Sequence, residues 1–263
     1  MPTYLADIVA AHRGRAERDD RPLAELVTRA TAMPAPRDFA GALRGGDGLR
    51  CIAEIKRRSP SKGPLSPDLQ PDLVAKEYVA GGAACLSVLT DADFFGGSPA
   101  DLASARQASG LPVLRKDFTV QEADVADARL MGADAVLLIV AALEDGELRR
   151  LASLADELGL AALVEVHDDA ELERALASGA RLVGVNQRDL RTFAVDHDRA
   201  RALAADIPAG VTAVAESGIR GADDARRLAD AGFDAILVGE TLVRAEDRAG
   251  ALRALVGHPV SAR

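Results

Sequence analysis

Short apolar runs alternate with amphipathic stretches along most of the chain, and four of these runs begin with a glycine. The four glycines are Gly82, Gly132, Gly179 and Gly232, at spacings of 50, 47 and 53 residues. A helical pattern precedes each one, as over 169–177. A glycine suits the end of a helix because the backbone there often adopts a left-handed conformation. The pattern therefore predicts a repeated unit of helix, glycine and strand.

Four further apolar runs between these segments have the length of buried strands. Together with the glycine-led runs they make eight strands that alternate with helical patterns, which is typical of a parallel sheet with right-handed crossovers. An open doubly wound sheet is the alternative, and chance similarity among Ala- and Gly-rich segments is another. The fourfold regularity favours closure, so we predict a (β/α)8 barrel of the TIM type. The four further strands are predicted over 49–56, 111–116, 161–166 and 211–216.

Two helices are predicted before the first strand, over 3–18 and 22–32, and Pro22 is well placed in a first helical turn. The segment 33–37 then interrupts the helical pattern. Residues 1–48 are too few for a core of their own. We therefore predict one domain over 1–263, in which residues 1–48 form a helical extension on a barrel core at 49–257.

Composition narrows the class of partner. The chain has 263 residues, of which 48% are hydrophobic, and a net charge of −9. That charge argues against a nucleic-acid backbone or an anionic membrane as the main partner, although a pocket for a phosphorylated small molecule can still be locally positive. The N-terminal region lacks the apolar core of a signal peptide, and the longest apolar run, 132–143, is too short to span a bilayer. We predict a cytoplasmic protein.

The cysteines and histidines do not have the spacing of metal ligands. Cys51 and Cys85 lie in strand-like runs and are predicted to be buried free thiols. His167 follows Glu165 by two residues and could reach the same rim of the barrel, but we expect it at the surface. No metal is therefore predicted. A monomer is preferred because the sequence shows neither an exposed heptad nor a long apolar stripe.

Unusual polar residues collect where the predicted strands end. In barrels of this class the chemistry lies at the C-terminal ends of the strands. Glu54 and Lys56 end the first strand and are two residues apart, so they point to the same side. Charges inside a barrel need partners or a ligand, and an ion-pair layer is the alternative explanation. The number of such residues favours an active site; the others are Lys116, Glu165, Asn186, Glu216 and Glu240.

A phosphate site is predicted beside them. Ser217 and Gly218 follow the seventh strand and Gly239 follows the eighth, where TIM barrels present backbone N–H groups and a short helix to phosphate. The loop 57–63 adds cations and hydroxyl groups near the same rim. The alternatives are that these glycines only form turns and that the basic loop is solvated.

These residues lie in motifs that resemble the indole-3-glycerol-phosphate synthase family. The resemblance runs over nearly the whole chain, and the lysine motifs at its first and third strands are highly specific together. The motifs are AEIKRRSPSKG at 53–63, FGGS at 95–98, LRKDF at 114–118, LVEVH at 163–167, VNQRDL at 185–190, AESGI at 215–219 and LVGE at 237–240.

The resemblance implies ring closure of 1-(2-carboxyphenylamino)-1-deoxyribulose 5-phosphate to indole-3-glycerol phosphate, with loss of CO2 and water and without metal or organic cofactor. It implies Lys116 as general acid and Glu165 as general base, with Lys56 and Glu54 as their partners. The remaining implied contacts are Asn186, Arg188, Ser217 and Glu216 for substrate positioning, Phe95 and Phe118 for the aromatic ring, and Ser59, Gly218, Gly239 and Glu240 for the phosphate.

Glu240 departs from the pattern, since some members of the family carry a small hydroxyl residue there. We expect only its backbone N–H to serve the phosphate, because a carboxylate would repel it. Two other functions remain open. A phosphoribosyl-type isomerase would need an ionisable residue where the sixth strand ends in Asn186, or a thiol at a strand's C-terminal end, and Cys51 lies too early in the first strand. A barrel that only binds phosphometabolites would not need Lys56, Lys116 and Glu165.

Overall fold

Eight parallel strands close into a barrel in the computed structural model, which describes residues 4–44, 48–59, 62–188 and 194–263. Each strand pairs with its neighbour in the chain, and the first strand also pairs with the last. The predicted (β/α)8 fold is therefore confirmed. The barrel strands are β1 (Arg50–Ile55), β2 (Cys85–Leu89), β3 (Val113–Lys116), β4 (Ala135–Ile139), β5 (Ala161–Val166), β6 (Leu182–Asn186), β7 (Thr212–Glu216) and β8 (Ala235–Val238).

Helices connect the strands and form the outer layer. A small hairpin, Arg58–Ser59 with Gly63–Pro64, lies in the connection after β1, and a 3-10 turn, Val140–Ala142, follows β4. The α-helices in the described ranges are α1 (Tyr4–Ala16), α2 (Leu23–Thr31), α3 (Phe39–Arg44), α4 (Pro71–Gly81), α5 (Ala92–Phe95), α6 (Pro99–Ser109), α7 (Glu122–Leu130), α8 (Asp145–Glu157), α9 (Asp169–Ala177), α10 (His197–Asp206), α11 (Ala222–Asp230), α12 (Glu240–Val243) and α13 (Arg248–Arg253).

The repeated glycines end helices, as the pattern predicts. Gly82 caps α4 with φ 91°, and Gly132, Gly179 and Gly232 lie two residues after the last residue of their helices with φ between 86° and 91°. In this left-handed region the Cβ of other residues is strained, whereas glycine is not. The backbone can then turn from helix to strand within a few residues.

The N-terminal extension contains one more helix than the sequence predicts. Helices α1 and α2 match the predicted pair, but α3 was missed because six residues are too few to show a helical period. Phe39 and Leu43 of α3 are buried and join the apolar cluster inside the barrel, with Ile52 and Val214. The division of the chain into extension and core at residue 49 stays a prediction.

Both cysteines are buried free thiols, as predicted. Burial raises the pKa of Cys51 to about 12, so its thiol is unreactive at neutral pH. Across the described ranges, none of the helices combines the length and apolar character that a membrane span requires.

Candidate active site

One cavity of about 690 Å³ lies at the C-terminal end of the barrel strands and contains every residue that the sequence predicts for the site. Strand-end side chains form its floor, and the loops after β1, β2, β6, β7 and β8 form its walls. The predicted residues that line it are Glu54, Lys56, Ser59, Phe95, Lys116, Phe118, Glu165, Asn186, Arg188, Glu216, Ser217, Gly218, Gly239 and Glu240.

Lys116 stands between two buried carboxylates. It ends β3, and its Nζ lies 3.1 Å from Oε2 of Glu165 on β5 and 2.9 Å from Oε2 of Glu216 on β7. The partners are 49 and 100 residues away along the chain, so only barrel closure brings the three together. The arrangement places a proton donor and two proton acceptors within one hydrogen-bonded group.

The charges of this group are strongly coupled. Burial opposes the ammonium form of Lys116, but the neighbouring carboxylates Glu165, Glu216 and Glu54 outweigh burial and raise its pKa. Burial also opposes ionisation of Glu165, yet Lys116, His167 and the Asn186 amide together lower its pKa. Lys116 is therefore charged and Glu165 ionised at neutral pH.

The pKa of Glu216 shifts in the opposite direction to that of Glu165. Burial and the charges of Glu165 and Glu54 raise its pKa to about 7, although Lys116 opposes the shift. Its Oε2 accepts from Lys116, whereas its buried Oε1 has no hydrogen-bond partner among the described residues. A group of this kind can exist in either protonation state near neutral pH.

Glu54 and Lys56 form a second ion pair at the end of β1, as their spacing predicts. Gly239, at the end of β8, lies directly against the Glu54 side chain, and a Cβ at position 239 would overlap with the Glu54 carboxylate. The Tyr78 hydroxyl donates to the Glu54 backbone oxygen at 3.1 Å. Lys56 Nζ thus remains at the cavity with a carboxylate partner that packing holds in place.

Asn186 links the base to the β6 loop. Its Nδ2 donates to Oε1 of Glu165 at 3.0 Å, and its Oδ1 accepts from the backbone N–H of Arg188 at 3.1 Å. Gln187, the next residue, bridges to the following loop by donating to the Ser217 backbone oxygen at 2.8 Å. The last two residues of the motif, 189 and 190, lie outside the described residues.

The predicted phosphate loops meet at one wall of the cavity. Ser217 and Gly218 have φ of 68° and 72°, and Ser217 is the one non-glycine residue with positive φ in the described ranges. Such strain is typical of functional sites. Gly239 directly precedes the short helix α12, as predicted. The Glu240 carboxylate lies 3.8 Å from Arg244 Nε and 4.0 Å from Lys62 Nζ, so neighbouring cations offset its charge.

The basic loop after β1 divides into two parts. Arg57 pairs with Asp101, and Arg58 donates to the backbone oxygens of Ala92 and Asp93, so neither guanidinium is a cavity cation. Lys62 does line the cavity. Residues 60 and 61 of the same motif lie outside the described residues.

Two aromatic side chains also line the cavity. The rings of Phe95 and Phe118 have centroids 6.3 Å apart, and both rings line the cavity as predicted. Tyr4 and Ile8 of α1 also line the cavity, and neither was predicted. Nothing in the sequence separates these two from ordinary packing residues of an N-terminal helix.

The side chains of two histidines are largely buried. The surface position expected for His167 is wrong, because its side chain is only 12% exposed and its Nε2 lies 3.6 Å from Glu165 Oε1. His12 of α1 is buried as well, with its Nε2 at 3.1 Å from Asp91 and 3.8 Å from Asp117. The barrel places residues beside each other that the sequence separates by many positions.

The His12 group has the ligand types that a metal could use. Donor atoms of His12, Asp91 and Asp117 lie within 4.8 Å of one another. However, Arg15 contacts Asp91 at 3.3 Å and Arg115 contacts Asp117 at 3.1 Å, so both carboxylates already have cationic partners. The group is therefore an ion-pair network that fixes α1 to the barrel.

Known proteins resemble this chain over nearly its whole length. The family model described as indole-3-glycerol phosphate synthase matches residues 5–255. Indole-3-glycerol phosphate synthase 2 of Streptomyces coelicolor is 52% identical over 262 residues, which cover 98% of this chain and 100% of that protein. The indole-3-glycerol phosphate synthase of Rhizorhabdus wittichii is 49% identical over 259 residues, or 97% of each chain.

Solved structures of lower identity share the fold. The 3-hexulose-6-phosphate synthase from Salmonella typhimurium has a TM-score of 0.63 at 15% identity, covering 79% of this chain and 96% of that chain. Likeness at that identity shows the barrel alone. The family match spans nearly the whole sequence, and on that ground the chain belongs to the indole-3-glycerol phosphate synthase family.

Proposed function

We propose that the protein is an indole-3-glycerol phosphate synthase, which closes the ring of 1-(2-carboxyphenylamino)-1-deoxyribulose 5-phosphate and releases CO2 and water. The observation that carries the proposal is the contact of Lys116 Nζ with both Glu165 and Glu216, at 3.1 and 2.9 Å, inside the cavity that also contains the phosphate loops. The family match and the relatives at about half identity support the same reaction.

The first step forms a carbon–carbon bond. The aromatic carbon that bears the carboxylate attacks the ketone carbon, and the carbonyl electron pair moves to the oxygen. Lys116 serves this oxygen as proton donor and as a fixed positive charge, because its raised pKa keeps the ammonium form present at neutral pH. An alkoxide is a stronger base than an amine, so the developing oxygen can take the proton.

Loss of CO2 follows. The bond between the ring carbon and the carboxylate breaks, and its electron pair restores the aromatic sextet of the benzene ring. Lys56 is the cation we assign to the departing carboxylate, since it lines the cavity beside Glu54. Release of a neutral gas then frees the Lys56 charge to assist the next step.

Dehydration completes the indole. The hydroxyl leaves as water with a proton from a lysine, and the carbon next to nitrogen loses a proton so that the new double bond forms. We assign removal of this proton to Glu165, which is ionised and which Lys116 and Asn186 hold in place. Glu216 and Arg188 are assigned to positioning the substrate.

The cavity lining offers groups that suit both the phosphate and the aromatic ring of this substrate. We assign the phosphate to the backbone around Ser217, Gly218 and Gly239 and to the Ser59 hydroxyl, with Glu240 contributing its backbone N–H. The carboxyphenyl ring lies against Phe95 and Phe118. In this orientation of the substrate, the ketone carbon would lie near Lys116.

The absence of tryptophan from the chain gives a direct assay. With the carboxyphenylamino sugar phosphate, we expect a new indole fluorescence and one CO2 released for each indole formed. A substrate that lacks the phosphate should show a raised KM. If the protein forms neither indole nor CO2 across the neutral pH range, the proposal is overturned. An isomerised sugar phosphate without CO2 would indicate the isomerase instead.

Three sequence-based predictions accompany this function. We propose a cytoplasmic protein, a monomer, and a reaction without metal or organic cofactor. Full activity after exhaustive chelation would support a reaction without metal. Light scattering of the purified protein tests whether it is a monomer.

A further inference from the structure

His167 lies directly behind the proposed base and has a carboxylate on each side of its ring. Its Nδ1 is 3.0 Å from Glu171 Oε2, and its Nε2 is 3.6 Å from Glu165 Oε1. The Glu171 carboxylate also accepts from the His167 backbone N–H at 2.8 Å, in the first turn of α9. Asp168 caps this helix by accepting from the Glu171 backbone N–H at 2.9 Å. The cap therefore fixes the orientation of the ring.

The contacts decide where the imidazole carries its protons. A carboxylate accepts only, so Nδ1 must donate to Glu171. If the ring were neutral, Nε2 would then present a lone pair to the ionised Glu165, and two acceptors would face each other in a buried site. Nε2 has no hydrogen-bond partner within the normal distance limit, so no other group relieves that repulsion in the described structure. The arrangement is favourable when His167 is an imidazolium.

The charges around the ring also favour the imidazolium form of His167. Glu171 on α9, Glu165 on β5 and Glu216 on β7 are the carboxylates whose fields reach His167, and together they outweigh the burial that opposes its charge and raise its pKa. Lys116 on β3 is the cation on the far side of Glu165. Glu165 thus lies between two cations, one facing the cavity and one behind it.

His167 itself does not line the cavity. It can reach the substrate only through Glu165, whose Oε1 it shares with the Asn186 amide while Oε2 faces Lys116. We propose that His167 is a positioning residue for Glu165, which in its protonated form holds the carboxylate ionised and turned towards the substrate. This inference rests on the function proposed above, and Glu171 is the support that orients the ring.

The substitution His167→Asn tests the proposal. Asparagine can still donate to Glu171, but it is too short to reach Glu165 and carries no charge. The Glu165 carboxylate then loses one of two neighbouring cations, so its titration midpoint should rise by about one pH unit. ¹³C NMR of glutamate side-chain carboxyl carbons measures the midpoint, with Glu165→Gln for assignment. The KM should stay within about twofold, as His167 does not touch the cavity, while kcat falls.

Two further variants separate positioning from folding. His167→Gln places a neutral donor near the Nε2 position, so it should recover part of kcat. The Glu165 midpoint should stay above its wild-type value, because the positive charge is missing. Glu171→Gln leaves the imidazole in place but removes one of the carboxylates that favour its protonated form. The Glu165 midpoint should therefore rise as in His167→Asn, but by less. His258→Asn is the matched control, because the hydrogen bond between its ring and the Ala254 backbone oxygen is exposed to solvent.

Three results would overturn the inference: an unchanged Glu165 midpoint in His167→Asn, a KM that rises in proportion to the fall in kcat, or ¹⁵N NMR showing a neutral His167 ring in the wild type at pH 7. Absence of any indole product from the wild type would contradict the proposed function instead. The titration measurements on Glu165 and His167 do not depend on turnover, so the two failures are distinguishable.

Discussion

Gly184 of β6 leaves the space that the carboxylate of Glu216 occupies inside the barrel. A Cβ at position 184 would overlap with Glu216 Oε1 and would lie 3.2 Å from Leu163 Cδ1. The backbone of Gly184 does not require positive φ, so close approach, and not conformation, explains the glycine. Lys116 receives its second carboxylate partner because β6 carries no side chain at this point.

Gly184→Ala should therefore impair the reaction while the barrel still folds. The added methyl group pushes Glu216 away from Lys116, and we expect kcat to fall at least about tenfold with a loss of about 1–3 kcal/mol in the free energy of unfolding. Steady-state kinetics and urea denaturation measure both. Gly210→Ala is the control, since a Cβ there meets nothing within 4 Å. Unchanged kcat in Gly184→Ala would show that the Glu216 position is not critical.

Lys116→Ala should abolish turnover. The change removes the proton donor and leaves Glu165 and Glu216 without their shared cation, so their pKa values rise and the base is lost as well. Loss of a general acid alone costs about 10²–10⁴-fold in kcat. The indole fluorescence assay measures the rate, and circular dichroism checks the fold. Lys76→Ala on α4 is the control, because its pair with Asp72 is exposed. Retention of most activity would exclude Lys116 as the acid.

Glu216 should make stability depend on pH. Its pKa is raised from 4.5 to about 7 in the folded protein, so the folded state binds the proton more tightly than the unfolded state. The contribution is fully present below pH 4.5 and is lost as pH rises towards 7, by at most about 3 kcal/mol.

Glu216→Gln removes this titration, which isolates it from the other carboxylates. We therefore expect the difference in the free energy of unfolding, variant minus wild type, to increase between pH 4.5 and 7. Above pH 7 the difference should stay constant. Urea denaturation at a series of pH values measures the difference. A difference that does not change across this interval would contradict the raised pKa.

Gly218→Ala should weaken substrate binding through the phosphate. Gly218 has φ of 72°, and a Cβ there would overlap with Val195 Cγ1, so the loop after β7 must move. We expect a rise in KM of at least about tenfold with a smaller change in kcat. Gly179→Ala is the matched control, since its φ of 87° imposes similar backbone strain but a Cβ meets nothing within 4 Å. Equal KM values in the two variants would argue against a phosphate role for this loop.

Much of the barrel could be predicted because its signals are local. The glycines at 82, 132, 179 and 232 mark helix ends through a backbone conformation that depends only on neighbouring residues. Strand β5 has the predicted bounds, whereas β3 starts two residues later than predicted, after Pro112. Proline has no N–H to donate to a ladder, so it suits the residue before a strand. Helix α3 lacked any periodic signal, since packing of Phe39 and Leu43 holds it in place.

The candidate site could be predicted as a set of residues but not as a set of contacts. Strand-end positions placed Lys116, Glu165 and Glu216 at one rim. Which carboxylate pairs with which cation depends on strand register and barrel closure, and the sequence is silent on both. For the same reason the burial of His167, the bridge through Gln187 and the contribution of α1 to the cavity wall were not predicted.

The sequence by itself determined the number and order of the strands and the chemical types at their ends, because short-range backbone preferences and hydrophobic periodicity specify these. Only the tertiary structure decided the protonation chemistry. The pKa values of Lys116, Glu165 and Glu216 depend on burial and on charges that are distant in the chain, such as that of Glu54 for Glu216. Electrostatic energy depends on distance through space and on the surrounding medium, and neither is set until the barrel closes.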